Sequence, residues 1–331
     1  MEQDFLDFLS ATDRFLLSGH ERPDGDCLGS QVAFYHLLVE RGKQVQIVNP
    51  DAVTKTHEFL LRHTPIGGYD AAAGLPEFDA LVLLDCAELT RLGAMGARVA
   101  EQGAPIAVID HHVGSIDGDG AVNLVDCSAS ATGVLVYRLY EAMGVSISAA
   151  AAEGIFLSIV ADTGWFRYSN TTEEVFAIAA KMVERGVEPS QIFDSIHRGK
   201  HPESVDLTQS VLSTHAFSLG GKYGYLCMSK SAMAQAGRID FDPDVVLEPV
   251  RSVEGVEVVA LFKERFDGTV KLSLRAVGDV DVREIARSFG GGGHVKAAGA
   301  TLGMALPQAV EAVESKVEAA LLAAGSSGQG T

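Results

Sequence analysis

Cysteine and positive charge are scarce in this chain, and long hydrophobic runs are missing altogether. The four cysteines, Cys27, Cys86, Cys127 and Cys227, are scattered with no CxxC pair. That excludes a disulfide framework and a thiolate zinc knuckle, and predicts reduced thiols in a cytoplasmic protein. The start, Met1-Glu2-Gln3-Asp4, lacks the basic stretch of a signal peptide. No apolar run reaches the roughly 18 residues of a membrane span, so no membrane partner is expected. Lys and Arg total 26 against 44 Asp and Glu, a net charge of −18. Long nucleic acid is bound by releasing counterions from its phosphates, which needs a basic surface. A chain this acidic repels such a polymer, whereas a small phosphorylated ligand in a local basic pocket remains compatible with it.

What is present is ample core material: 331 residues, 47% apolar, predict two domains. Residues 1–185 alternate short apolar runs with helical patterns, the signature of βαβ units and an α/β fold around a mostly parallel sheet with flanking helices. Strands are expected at 14–18, 44–48, 79–84 and 106–109. Helices are expected at 27–41, with Val32, Tyr35, His36 and Val39 on one face, and at 131–143 and 148–161. Residues 186–206, with Pro189, Pro202 and a charged His-Arg-Gly-Lys-His run, read as a connector over which the domains would close on a ligand. Residues 207–324 read as a smaller mixed-sheet α/β domain ending in a helix over 306–322. The Ser/Gly-rich 325–331 reads as a disordered tail.

The chain's chemistry concentrates around Ile106-Ala-Val-Ile-Asp110-His111-His112, an apolar strand that ends in a carboxylate and two imidazoles. In open α/β sheets ligands sit outside the carboxyl ends of the strands. An isolated Asp-His-His is as readily a histidine pair capping a turn. Here Asp85 ends a second apolar run, and His20, Asp24 and Asp26 follow a third, with Pro23 and Gly25 shaping their loop. Asp162 ends the helix over 148–161. Two imidazoles (His20, His111) and four carboxylates (Asp24, Asp26, Asp85, Asp162) balance the charge of two divalent cations. Mixed N/O donors without thiolate favour Mn²⁺, with Mg²⁺, Co²⁺ or Zn²⁺ as other occupants.

These segments, HxxPDGD from His20, the Asp of LLDCAE, Asp110-His111-His112 and Val160-Ala-Asp162-Thr-Gly164, resemble in order and spacing the DHH phosphoesterase superfamily. The resemblance implies His20 and Asp24 on one metal, Asp26, His111 and Asp162 on the other, and Asp85 bridging. Asp110 would then orient an imidazole, and His112 would face the substrate phosphate as hydrogen-bond donor or general acid. Cys27 and Cys86 flank metal-binding acids but are read as core thiols.

The second distinctive stretch is Phe289-Gly290-Gly291-Gly292-Gly293-His294. Four glycines let backbone N–H groups crowd against a ligand, and a helix starting at His294–Ala298 would add a positive field for phosphate. With Arg275 and its strand, this resembles the DHHA1 domain that accompanies DHH domains. That implies Arg275, Gly290, Gly291, Gly292, Gly293 and His294 contact nucleotide. Members often carry Ser after the arginine where this chain has Ala276, which puts a hydroxyl contact in doubt. Residues 251–300 hold eight Lys/Arg against seven Asp/Glu, the least acidic region available to phosphates. Within the family the chain most resembles soluble nanoRNase-type enzymes. The implied substrates are short 5′-phosphorylated oligoribonucleotides and 3′-phosphoadenosine-5′-phosphate. The alternatives are a phosphodiesterase for linear or cyclic dinucleotide messengers and a nucleotide-sensing module with vestigial hydrolysis. Composition leaves a homodimer open.

Overall fold

Aliphatic runs of the first half become the strands of one parallel sheet. In the computed structural model, which describes residues 2–116, 120–199, 201–237 and 241–327, the chain divides into two units, Met1–Gly199 and Lys200–Thr331. The first runs α1 (Glu2–Ala11), β1 (Arg14–Ser18), α2 (Gly25–Glu40), β2 (Gln44–Asn49), β3 (Ile66–Gly68), β4 (Ala80–Leu84), α3 (Gly93–Gln102), β5 (Ile106–Asp110), β6 (Val122–Val125), α4 (Thr132–Met143), α5 (Ala149–Asp162), α6 (Glu173–Glu184) and α7 (Pro189–His197). The strand order is β3-β2-β1-β4-β5-β6, every pair parallel. The order reverses between β1 and β4, and at that switch point the loops leaving the two strands part to open a crevice.

Both faces of the central strands are covered, which is why they read as unbroken apolar runs rather than alternating ones. Leu16, Leu81, Leu83 and Val108 pack with Met95 and Val99 of α3. Leu17, Val82, Leu84 and Ile109 pack on the opposite side with α2, α4 and α5. The single apolar face expected for α2 is not what forms. The helix is buried from Gly25 to Phe34 and again at Leu37 and Leu38, while Val39 is 43% exposed. Its neighbour α5 explains this. A Cβ on Gly29 would lie 2.4 Å from the Gly154 carbonyl, and one on Gly154 would lie 2.5 Å from that of Gly29. Only two glycines let these backbones touch, and the contact sets Asp26 of α2 against the end of α5.

The second unit runs α8 (Glu203–Leu212), β7 (Ala216–Ser218), β8 (Tyr223–Met228), α9 (Lys230–Ala236), α10 (Asp244–Arg251), β9 (Val258–Glu264), β10 (Val270–Ala276), α11 (Val282–Arg287), β11 (Gly292–Gly293), β12 (Ala297–Leu302) and α12 (Leu306–Ser327). Its sheet, β11-β12-β10-β9-β8-β7, is mixed, with only β8 and β9 parallel. α11 and α12 cover one face of it, and α8 and α10 the other.

Three expectations are corrected. The stretch 186–206 is largely helical: α7 buries Ile192 in the core of the first unit, and α8 already begins at Glu203. The closing helix continues through Ser327, so the expected disordered tail is helical over 325–327, and 328–331 lie outside the described residues. His294–Ala298 does not start a helix, because the chain turns there into the hairpin between β11 and β12, with His294 N–H bonded to the Ala297 carbonyl at 2.7 Å.

Candidate metal centre and nucleotide platform

The strand ends that the sequence singles out are adjacent. His20 follows β1, Asp85 follows β4, and Asp110 and His111 end β5, with the first turn of α2 and the last of α5 closing the crevice. Asp85 sits at φ +59°, a left-handed conformation costing most L residues about 1–2 kcal/mol and Asp among the least. Its N–H continues the ladder to Ile109 O at 3.0 Å. The turn then aims its carboxylate into the crevice rather than along the sheet.

Each metal-type histidine is oriented through Nδ1. His20 Nδ1–H donates to Glu21 O at 2.9 Å and His111 Nδ1–H to Ala129 O at 3.2 Å. Both Nε2 atoms therefore turn inward. His20 Nε2 lies 3.3 Å from Asp85 Oδ2 and 3.9 Å from Asp24 Oδ2. His111 Nε2 lies 2.9 Å from Asp162, 3.5 Å from Asp26 and 3.8 Å from Asp85. Despite the short distance to Asp162, this buried nitrogen makes no hydrogen bond of acceptable geometry. A lone pair facing three carboxylates is stable only with a proton or a cation between them, so the donor set fits divalent ions. Asp26, His111 and Asp162 form one compact cluster of ligand atoms, and His20 and Asp85 belong to another.

The acids are held as well as collected. Asp24 caps α2, accepting from the N–H groups of Asp26 at 3.0 Å and Cys27 at 3.1 Å. Asp26, fully buried, accepts from Thr132 N–H at 2.9 Å, Gly133 N–H at 3.3 Å and the Ser158 hydroxyl. Ala131 at the start of α4 has no side chain to cap it, and this distant carboxylate serves instead. Burial, and then the charges of Asp85 and Asp162, push Asp26 well above the usual carboxylate range. Asp24, at the mouth with 58% of its side chain open, is raised to about 6 by its buried surroundings and Asp85; water screens it more than Asp26. Asp85 goes the other way: burial opposes its charge, but hydrogen bonds from His112 and His20 prevail and lower it. Burial likewise opposes charge on His111, yet Asp162 and Asp26 raise it to about 9. In the protein alone, protons on imidazoles stand where metal charge would act.

Asp110 serves His112 rather than a metal-facing ring. Its Oδ1 accepts from His112 N–H at 2.9 Å and Nδ1–H at 2.8 Å, and His112 Nδ1 also lies 3.2 Å from Asp85. Burial disfavours the imidazolium, but the hydrogen bonds to Asp110 and Asp85 outweigh it and lift His112 to about 10. Cys27 approaches His20 and Asp85, but burial and the Asp85 charge push its thiol far up, so it packs as a protonated thiol against Leu84 O and Gln31.

In the second unit, Arg275 on β10 pairs across the sheet with Ala297, and Ser273 with Gly299, which in turn pairs with Gly292. Directly opposed residues share a face, so on the β12 and β11 side of Arg275 the sheet presents a strip, Ala297, Gly299 and Gly292, with no side chain larger than a methyl. The glycine run departs from the expected nest of N–H groups. Gly290 N–H and Gly291 N–H are spent on the α11 carbonyls of Arg287 and Ala286, both at 2.9 Å. A Cβ on Gly291 would lie 2.1 Å from Gly299 O and one on Gly293 2.6 Å from Ala297 O, whereas one on Gly292 would meet nothing within 4 Å. Ala276 points into the core, on the face opposite Arg275, so its missing hydroxyl is not missing from the platform.

The description "DHH family, N-terminal domain" matches residues 14–159 and "DHHA1 domain" residues 240–319. A Thermus thermophilus protein named bifunctional oligoribonuclease and PAP phosphatase NrnA is 36% identical over 93% of this chain and 90% of its own. The chain belongs to the DHH–DHHA1 phosphoesterase family. A Bacillus subtilis protein of the same name is 26% identical to this DHH–DHHA1 chain, over 91% of it and 93% of the relative. The solved structure of an exopolyphosphatase-related protein from Bacteroides fragilis superposes with a TM-score of 0.87 at 26% identity, covering 96% of this chain and 95% of that one.

Sequence reasoning passed over three supports of this DHH site: Ser158 and the α4 N-terminus, which hold Asp26, and Asn170, whose Nδ2 donates to Asp162 O at 3.1 Å. Ser158 had a signal, a lone hydroxyl four residues before Asp162 within the apolar run that follows Glu153. The α4 N-terminus, 106 residues from Asp26, had none.

Proposed function

We propose that this protein is a two-metal phosphoesterase. It hydrolyses short 5′-phosphorylated oligoribonucleotides, dinucleotides upward, to nucleoside 5′-monophosphates, and 3′-phosphoadenosine-5′-phosphate to AMP. The observation that carries this reading is the inward pair of imidazole lone pairs, set by main-chain acceptors and facing four carboxylates. In support, the relatives that align end to end with this chain carry both activities in their names. His20 and Asp24 would hold one ion, Asp26, His111 and Asp162 the other, and Asp85 both; Mn²⁺ suits the mixed donors best.

When bound, divalent ions supply positive charge to the phosphoryl oxygens and lower the pKa of water. The chain's own residues do the rest. Water oxygen bonds to phosphorus and gives up one proton to solvent, the bond from phosphorus to the 3′-oxygen breaks, and that oxygen takes a proton from a donor that solvent then reprotonates. His112, kept protonated by Asp110 and Asp85, would hydrogen-bond the phosphate or supply that proton. Arg275 and the bare strip beside it would hold the nucleotide, with Gly292 open to it and His294 at the end of the run, while Gly290 and Gly291 shape the run against α11. Both substrates share one description, a nucleotide with a 5′-phosphate and a phosphate ester on its 3′-oxygen, so the same groups would serve both. No helix among the described residues is long and apolar enough to cross a membrane.

The test uses purified, chelator-treated protein. Mn²⁺ should restore cleavage of a 5′-phosphorylated dinucleotide and of the bisphosphate. Asp85→Ala should abolish both and lower metal content by elemental analysis. Near-parental turnover with full metal would remove Asp85 from the centre.

A further inference from the structure

Arg275 does not stand alone on its strand. Its Nε donates to Asp244 Oδ1 at 2.9 Å, its Nη2 to Asp244 Oδ2 at 3.1 Å, and its Nη1 to the Leu274 carbonyl at 3.0 Å. Asp244 is the first residue of α10, whose Val246, Leu247 and Val250 are buried against the sheet. The carboxylate is thus fixed by a packed helix and not by a loop. A guanidinium has five N–H groups. Among the described residues three are used, and the two that remain sit one on Nη1 and one on Nη2, spaced to meet two oxygens of one phosphate.

We infer that Asp244 is a positioning residue. It grips the side of the Arg275 guanidinium, fixes its plane, and leaves the Nη1/Nη2 edge to bind a phosphate of the nucleotide over the strip formed by Ala297, Gly299 and Gly292. The inference rests on the reading of Arg275 as a substrate contact and adds what makes that contact rigid. The competing role for the same geometry is a latch, with the carboxylate occupying the arginine against the substrate. The side-on pairing favours positioning, because a latch would cover both open N–H groups and this one covers neither. An ion pair with the side chains 22% and 40% exposed adds little to stability, so its removal tests the arginine's orientation rather than the fold.

The test is a double-mutant cycle on the full-length, Mn²⁺-loaded enzyme with a 5′-phosphorylated dinucleotide. Asp244→Ala should lower kcat/KM by roughly three- to tenfold, through KM rather than kcat, with a melting temperature near that of the parent. Asp244→Glu should recover part of the loss. In an Arg275→Ala background, Asp244→Ala should cost nothing further, because it acts only through the arginine. A rise in kcat/KM for Asp244→Ala would show a latch, and an undiminished loss in the Arg275→Ala background would show a role unrelated to the arginine; either overturns the inference. If Arg275→Ala itself left kcat/KM unchanged, the substrate contact would be wrong. If only Asp244→Ala were silent, that contact would stand and the positioning role would fall.

Discussion

His20 and His111 each give Nδ1–H to a main-chain carbonyl, and that single choice turns two ordinary imidazoles into donors aimed at a cation. The residues that supply charge were legible in the sequence because each ends an apolar strand or a helix. The partners that set orientation were not. Glu21 O and Ala129 O are backbone atoms without side-chain signature, and which imidazole Asp110 orients is not readable until its bond to His112 is seen. The residue scale also carries a pH prediction. Asp26 and Asp24 have raised pKa values in the protein alone, Asp24 to about 6. Their folded forms keep protons that the unfolded chain sheds near pH 4, so metal-free stability should fall as pH rises from about 4 through about 6. Metal needs the same carboxylates ionised, so the gain in melting temperature on adding Mn²⁺ should grow between pH 5 and pH 7.5. A gain independent of pH would mean that these carboxylates do not hold the metal.

Among elements, the strands were readable because burial on both faces leaves continuous aliphatic runs, and β1, β2, β4 and β5 lie within a residue or so of their expected limits. Helix faces were less so. α2 touches α5 through Gly29 and Gly154, and a glycine contact carries no hydrophobic periodicity to read. The glycine run misled in an instructive way. Its composition suggested a nest of free N–H groups, but Gly290 and Gly291 use theirs to end α11, and the run then becomes an edge strand. The four glycines should therefore separate on substitution. Gly291→Ala places a methyl against Gly299 O and should cost about 1–3 kcal/mol, visible as a lower melting temperature. Gly292→Ala has open space and should leave melting unchanged while raising KM for a dinucleotide. Equal melting losses for both would assign the run to packing alone.

For the whole molecule, the division of the chain into a larger and a smaller unit was legible and falls within the expected connector, but the helices that flank it were not. Proline and charge marked 186–206 as a connector, whereas α7 joins the first core and the units part after Gly199. Proline at the first position of a helix is as much a start signal as a break. The overall charge of −18 remains the strongest constraint on substrate size. Each nucleotide added beyond the pocket meets an acidic surface and gains little from counterion release, so affinity should level off after a few residues. The most direct measurement is kcat/KM with Mn²⁺ on 5′-phosphorylated RNAs from two to about thirty nucleotides, with 3′-phosphoadenosine-5′-phosphate alongside. Highest efficiency on two to five nucleotides, a steep fall for long RNA, and release of AMP from the bisphosphate are the predicted results. Processive degradation of the longest RNA at the dinucleotide's rate, or no cleavage of either substrate by the metal-loaded protein, would contradict them.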